Sequence, residues 1–423
     1  MRVVVVGAGL IGVSSAYCLA RDGHEVTVLD REKDVALGTS YANGASLTPS
    51  MADPWNAPGV AGRLWHYLGK EDSPLLLRPQ ALPSLFFWGI KFLRNSDPAR
   101  FERATAANAR IASYSVAMLK TLEATLSLRY DQGPGGTLKL SRDSAGFDAM
   151  VASAATMQEA GVPIDILDAA GAVAREPALA AIQHEISGAL YIASDEAGDA
   201  RKYTLALADI SKTLGVRFEY GATVTGFDRQ GGRVNKVVAM QSGNHRYYNA
   251  DVVVIAAGCW SPAVTAGLGI RLPIKPVKGY SITTPRHGWC NGPRIPVVDE
   301  GFHAIVTPLG DRLRVAGTAE FAGFDNTLTP SRIANLTRFL TSLYPDFNGH
   351  FDSTDISPWC GFRPMSADGV PFIGQSRIEN VYLNTGHGHL GWTMASGSGR
   401  LLADLVLSKV PAIDPAPYDP ARA

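Results

Sequence analysis

Cysteine is scarce in this chain of 423 residues: Cys18, Cys259, Cys290 and Cys360 stand far apart, with no Cys-x-x-Cys pair and no metal-ligand spacing. That excludes a disulfide framework or a structural metal as the organising device, and a reducing compartment is expected. Neither sign of charge is in excess, since 39 Lys and Arg balance 39 Asp and Glu. A nucleic-acid polyanion is therefore not the expected partner, a local basic patch aside. Also missing is any run of about 18 apolar residues free of charge or Gly/Pro interruption, so no transmembrane helix is expected. No internal repeat or low-complexity tract occurs, apart from a Pro-rich tail after Val410 that reads as frayed. What remains is a chain long enough for two domains with substantial cores.

The informative stretch comes first. MRVVVVGAGLIGVSSAYCLARDGHEVTVLDRE opens with Val3 to Val6, an apolar run suited to a buried parallel strand, followed by Gly7, Gly9 and Gly12 as G-x-G-x-x-G. Helical spacing follows from Leu10 to Arg21, and Glu25 to Leu29 reads as a second strand ending in Asp30. Gly7 would permit the tight turn, Gly9 the approach of backbone to a pyrophosphate, and Gly12 close packing of helix on strand, with the helix N-terminus facing the phosphates. Asp30 stands where a ribose hydroxyl needs an acceptor, which disfavours a 2′-phosphate; Arg31 beside it is the residue that argues the other way. A β-α-β unit that binds nothing could carry the same elements, but here all five occur in order. Arg2 and the small apolar residues after it also imitate a secretory signal. Cleavage would delete the first strand and the glycine turn, so the expectation is an unprocessed chain.

Further along, TSYANGASLTPS (Thr39 to Ser50) has the small polar residues of a loop lying against a ligand, with Thr39, Ser40, Asn43, Gly44, Ala45 and Ser46 as its candidate contacts. Helices are expected over about 98–127, 144–160, 203–214 and 331–343, and strands at 135–140, 251–256 and within 275–320. VRFEYGATVTGFDRQGGRVNKVVAM reads as alternating strands with a Gly-Gly turn. Near the end, NTGHGHLGWTMASGSGRLLADL places Gly386, Gly388 and Gly391 between a strand at Val381 to Thr385 and a final helix starting at Trp392 or Thr393.

These motifs, taken together, resemble the FAD-dependent D-amino acid dehydrogenases, in the wider group that includes glycine oxidase and sarcosine oxidase. The likeness runs from the N-terminal unit through TSYANGASLTP, GGTLKL, PVKGYS and GFRPMSADGVPFIG to NTGHGHLGWTM. It implies an α/β (mixed α+β) fold: a Rossmann-type FAD-binding domain from residues 1–50, 195–270 and 355–423, and a discontinuous antiparallel-sheet substrate domain from 51–194 and 271–354. It implies non-covalent FAD, since Cys360 is offset by one from the position at which sarcosine oxidases attach flavin. Val224, Ala257, Gly258 and Trp260, and Gly386, His387, Gly388, Leu390, Gly391, Trp392 and Thr393, fall on the cofactor in such a fold. The last helix would aim its N–H groups at the flavin edge that gains negative charge on reduction.

For chemistry the resemblance places Arg363 as the carboxylate anchor, with Tyr280, His303 and His389 near the substrate. A guanidinium grips a carboxylate through two parallel hydrogen bonds, and Pro364 holds Arg363 extended, as for a side chain projecting from a strand end. The activity implied is oxidative deamination of a D-amino acid or related imino acid, with hydride leaving Cα for flavin N5 and the imine hydrolysing to a 2-oxo acid and ammonia. The loop Asn43-Gly44-Ala45-Ser46, and His389 in place of a common threonine, depart from D-alanine-type dehydrogenases and leave the substrate open. An oxygen-using glycine/sarcosine-type or biosynthetic amine oxidase, a non-catalytic flavin-fold subunit and an NAD-dependent enzyme are the competing readings. The electron acceptor is quinone or O2. Leu85 to Asn95, aromatic and basic, would either pack as a helix on the substrate domain or touch a membrane surface; the expected location is the cytoplasm, and in the second case the inner face of the plasma membrane.

Overall fold

The computed structural model describes residues 1–67, 71, 73–159, 162–350 and 352–423. Valine-rich segments form the centre of a six-stranded sheet ordered Phe372–Gln375, Val381–Thr385, Val252–Ile255, Arg2–Val6, Glu25–Leu29 and Arg217–Glu219. All its pairings are parallel except that of the edge strand Phe372–Gln375. Val3 to Val6 and Val252 to Ile255 are all buried, as continuous apolar runs in a sheet covered on both faces should be. The helices Leu10–Arg21 and Gly391–Val406 pack on one another beside this sheet, and both begin at its carboxyl edge, where Val6 and Thr385 end their strands.

The second layer is a nine-stranded, largely antiparallel sheet running Ser357–Ser366, Ile274–Pro285, Arg312–Phe321, Ala304–Leu309, Val297–Asp299, Thr137–Ser141, Gly188–Ile192 and Ile164–Leu167, with Leu75–Leu77 beside Arg312–Phe321. Its core is a separate cluster built on Leu138, Ile282, Val306, Val315 and the inner face of the helix Pro330–Leu343. A three-stranded sheet, Thr223–Gln230, Arg233–Gln241 and Asn244–Asn249, carries the Gly-Gly turn.

The expected helices appear as Pro98–Thr125, Ser144–Glu159, Ala200–Thr213 and Pro330–Leu343. Asp97 caps the first by accepting from the Arg100 amide, and Asp199 caps the third through the Arg201 and Lys202 amides. Two expectations need correction. Arg363 lies inside the strand Ser357–Ser366, paired with Val277, and not at a strand end. The Pro-rich tail is docked, not frayed: Tyr418 is fully buried, its hydroxyl donates to Ala107 O at 2.7 Å, and Arg422 pairs with Asp368 and donates to Val370 O and Pro371 O. Composition signals a tail without propensity for regular structure; it is silent on an aromatic anchor that finds a slot on another helix.

Tyr418→Ala should therefore destabilise the protein by about 3–5 kcal/mol, the usual range for emptying a buried aromatic site, read as a fall in thermal midpoint by circular dichroism. An unchanged midpoint would mean that the tail adds nothing to the fold.

Candidate active site

One cavity of about 580 Å³ runs between the two layers, from Asp30 and Arg31 at the end of the second strand to Arg363 on the large sheet. Every candidate residue of the sequence analysis lines it except Gly12, which works one step behind the wall. A Cβ on Gly12 would overlap the Gly7 carbonyl, and one on Gly7 would lie 2.5 Å from Ala256 O. The helix Leu10–Arg21 thus meets the turn backbone to backbone, and its N-terminus opens onto the cavity.

At that end the Asp30 carboxylate accepts from the amides of Ala8 (2.5 Å) and Glu32 (2.8 Å), while burial pushes its pKa up. The Arg31 guanidinium lies 3.7 Å from the centre of the Trp260 ring, so the two form a stacked pair at the cavity rim. Val224, Ala257 and Gly258 line the wall beside them.

The loop over the middle of the cavity is hung from the large sheet by its carbonyls. Ser281 Oγ donates to Ala42 O at 2.6 Å, Arg314 Nη1 to Asn43 O at 3.0 Å and Thr307 Oγ1 to Gly44 O at 2.9 Å. Thr39 Oγ1 donates to Phe362 O at 2.6 Å, and Ser40 Oγ accepts from the Leu10 amide at 3.1 Å. Ala45 turns with φ 58°, which starts the short strand Ser46–Leu47.

On the opposite wall, Gly386 and Gly388 turn with positive φ and the Gly388 amide donates to Pro364 O at 3.0 Å, tying the turn to the strand of Arg363. The helix begins at Gly391, and its N-cap residue Leu390 offers no side-chain cap. Thr393 Oγ1 accepts from the Thr48 amide. The indole of Trp392 is occupied elsewhere, donating to Gly198 O and packing on Tyr130 and Tyr203, so its backbone is the part available to a ligand. His387 is buried with Nε2 2.9 Å from Ser398 Oγ, and burial lowers its pKa to about 3.

The far end holds the charge. Burial lowers the Arg363 pKa to about 10, so the guanidinium remains protonated at neutral pH; among the described residues its one hydrogen bond runs from Nη1 to Thr318 O at 3.2 Å. His389 stacks on Trp55 at 5.4 Å, and burial together with the Arg363 charge lowers its pKa to about 4, so it is neutral at pH 7. Tyr280 lines the cavity, but its hydroxyl is bonded to Glu320 Oε2 at 2.5 Å and Thr329 Oγ1 at 3.1 Å. His303 sits exposed at a turn with φ 47°. Cys360 is absent from the wall: Trp359, Gly361 and Arg363 face the cavity, and the thiol on the other strand face donates to Asn326 O.

Two helix N-termini whose N-cap residues offer no side-chain cap, a glycine turn too closely packed to take a Cβ at Gly7 or Gly12 and an acid at the strand end are what a dinucleotide with an electron-accepting ring requires. A family model described as DAO, FAD dependent oxidoreductase, matches residues 2–405. The chain belongs to this family of FAD-dependent oxidoreductases. Among curated relatives of this oxidoreductase, the D-amino acid dehydrogenase of Cereibacter sphaeroides is 42% identical over 416 residues, covering 98% of this chain and 94% of that protein. Among solved structures, L-proline dehydrogenase from P. horikoshii superposes with a TM-score of 0.77 at 20% identity over 100% of this chain and 97% of its own. Glycine oxidase from Bacillus cereus gives 0.74 at 20% identity, over 96% and 95%. The fold is thus the mixed α/β fold of FAD-dependent oxidoreductases.

Trp55, Gly279 and Thr318 escaped the sequence reading. Trp55 lies in a Pro-rich stretch without periodicity, and the other two act through missing side chain or backbone.

Buried neutral His387 carries a pH consequence. Unfolded, it takes a proton below its ordinary pKa of 6.5; folded, it does so only near 3. Its contribution to stability is complete above pH 6.5 and is lost as pH falls toward 3, by about 2 kcal/mol at pH 5. Asp195, whose pKa burial raises to about 7, runs the other way. Comparing His387→Gln with wild type cancels Asp195. The substitution should flatten the decline in thermal midpoint between pH 7 and 5; parallel curves would refute the assignment.

Proposed function

We propose that this FAD-dependent oxidoreductase oxidises the Cα–N bond of a D-amino acid or a related imino acid, giving an imine that water converts to a 2-oxo acid with release of ammonia from the amino acid or of the substituted amine from the imino acid. The observation that carries the reading is Arg363: a half-buried, desolvated cation with a single hydrogen bond among the described residues, facing the cavity at the end remote from Asp30. A buried charge without a counter-ion is costly, and a substrate carboxylate supplies one with two parallel hydrogen bonds. The curated relative's name supplies the D-amino acid.

Bound FAD supplies the two-electron oxidant that takes the hydride from Cα. The chain's share is positioning and electrostatics. Gly7, Gly9 and the amides that follow Leu10 in the first turn of Leu10–Arg21 would hold the pyrophosphate, Asp30 a ribose, and the loop from Thr39 to Ser46 would lie against the ring system. Gly391, Trp392 and Thr393 would present backbone amides to the flavin edge where electron density accumulates. Arg363 fixes the substrate carboxylate and thereby Cα. His389, neutral beside that cation, can accept a hydrogen bond from the substrate amine without repelling it. Tyr280 contributes its ring, since its hydroxyl is committed to Glu320. His303 lies at the rim, where it can meet the substrate side chain. With the Cys360 thiol facing away, FAD would be held without a covalent bond.

We further propose quinone in preference to O2 as acceptor, reached from a membrane surface. No helix among the described residues is long and apolar enough to cross a membrane. The helix Leu82–Arg94, however, is apolar on two faces. Trp88 and Phe92 are buried, whereas Leu82, Phe86, Phe87, Ile90 and Leu93 are 40–80% exposed. It contains no acidic residue, and Lys91 and Arg94 are exposed beside that stripe, the pattern of a helix lying on an anionic bilayer. All four cysteines are free thiols, which fits the cytoplasmic side.

Three outcomes follow. Mixed without oxygen with paired D- and L-amino acids and cyclic imino acids, the protein should lose flavin absorption with the D enantiomer; a panel that bleaches nothing would end the reading. Arg363→Ala should lower kcat/KM by roughly 30-fold or more, the loss expected when one partner of a buried charge pair goes, with FAD content kept. Wild type should sediment with phosphatidylglycerol-containing vesicles and Phe86→Ser/Phe87→Ser should stay in the supernatant, while stoichiometric hydrogen peroxide in air would favour O2.

A further inference from the structure

The Arg363 side chain reaches past its own strand partner. Ser357–Ser366 pairs with Ile274–Pro285 so that Gly361 faces Gly279 and Arg363 faces Val277. The guanidinium reaches across to the bare backbone of Gly279: a Cβ there would lie 2.5 Å from Arg363 Cζ. Gly279 does not have the positive φ that would itself call for glycine, so what keeps a side chain out is the guanidinium.

On the next strand the ladder slips. Gly279 pairs with Ala319 but Tyr280 with Gly317, which leaves Thr318 bulged with φ 55°. A bulge frees backbone groups from the ladder and re-aims them. Here the Thr318 carbonyl accepts from Arg363 Nη1 at 3.2 Å. The third contact is Trp55, whose ring centre lies 5.3 Å from Arg363 Cζ and which also stacks on His389 with 28° between the planes. The Trp55 loop is itself anchored, since Asn108 Nδ2 donates to both Ala52 O and Gly369 O.

We propose that Gly279, the Thr318 bulge and Trp55 are a positioning clamp for Arg363, holding its fork so that the remaining donors face the cavity before a carboxylate arrives. The proposal rests on the reading of Arg363 as carboxylate anchor. The bare Gly279 backbone gives the guanidinium a floor, the bulge carbonyl fixes one end, and the indole supplies a polarisable face that tolerates a cation. Trp55 couples two groups of the site, because the same ring that faces Arg363 sets the plane of His389.

The clamp separates from the fold experimentally. At Gly279 the neighbour in the way is the end of a flexible side chain, so Gly279→Ala should fold, retain FAD and melt like wild type while the guanidinium is displaced. It should weaken benzoate binding, titrated by the change in flavin absorption, at least tenfold, and raise KM for the D-amino acid more than it lowers kcat. Trp55→Ala should do the same, and Trp55→Phe should recover most of the affinity. Benzoate binding needs no turnover, so a weakened benzoate site in a protein that no amino acid reduces keeps the clamp and removes the proposed reaction. Turnover by Gly279→Ala with wild-type KM removes the clamp and keeps the reaction. A crystal structure of Gly279→Ala decides independently of ligands: Arg363 still bonded to Thr318 O and lying over position 279 overturns the proposal.

Discussion

The site depends on one close approach of backbone to backbone. Helix Leu10–Arg21 can open onto the cavity only because Gly12 rests on the Gly7 carbonyl and Gly7 on Ala256. A methyl group at either place would push the helix away from the sheet edge and move its N-terminal amides with it. The second helix inherits this placement. Gly391–Val406 packs on Leu10–Arg21, and Asn384, at the end of its preceding strand, donates to Ser15 Oγ at 2.9 Å. Two positive helix ends therefore converge on one cavity because two backbones touch behind it.

Charge is distributed along the cavity with the same economy. A half-buried acid held by two amides stands at one end and a half-buried cation with one carbonyl partner among the described residues at the other. The histidines between them are kept neutral by desolvation, and for His389 by Arg363 as well. Desolvation is useful here: it leaves neutral, orientable donors and acceptors beside the strongly charged group, so that Arg363 is the side-chain cation an anion meets there.

Much of this was legible in the sequence because it is local. Val3 to Val6, the glycine turn and the helix after it sit within one short stretch, and periodicity reports such units faithfully. Arg363 was legible because GFRPMSADGVPFIG and the terminal glycine turn keep their order. Its clamp was not. Trp55, Gly279, Thr318 and Arg363 come from four distant segments, and the useful parts are an absent Cβ, a carbonyl released by a ladder slip and an indole in a Pro-rich loop. None has a spacing to detect. The docked tail failed for a related reason, since Tyr418 finds its slot only after the helix Pro98–Thr125 exists.

The central strand has a further consequence for synthesis. Arg2–Val6 can pair at once with Glu25–Leu29, but its other edge waits for Val252–Ile255, about 250 residues later, and the second helix end waits for residue 391. At ribosomal rates of about 5–20 residues per second, that edge stays open for roughly 12 to 50 seconds. The nascent chain therefore carries a buried-type valine strand with one bare side while the intervening residues are made, and the second helix end reaches the cavity only once Gly391–Val406 emerges. The interval before Val252–Ile255 arrives is when that open edge most needs protection from association with its own copies.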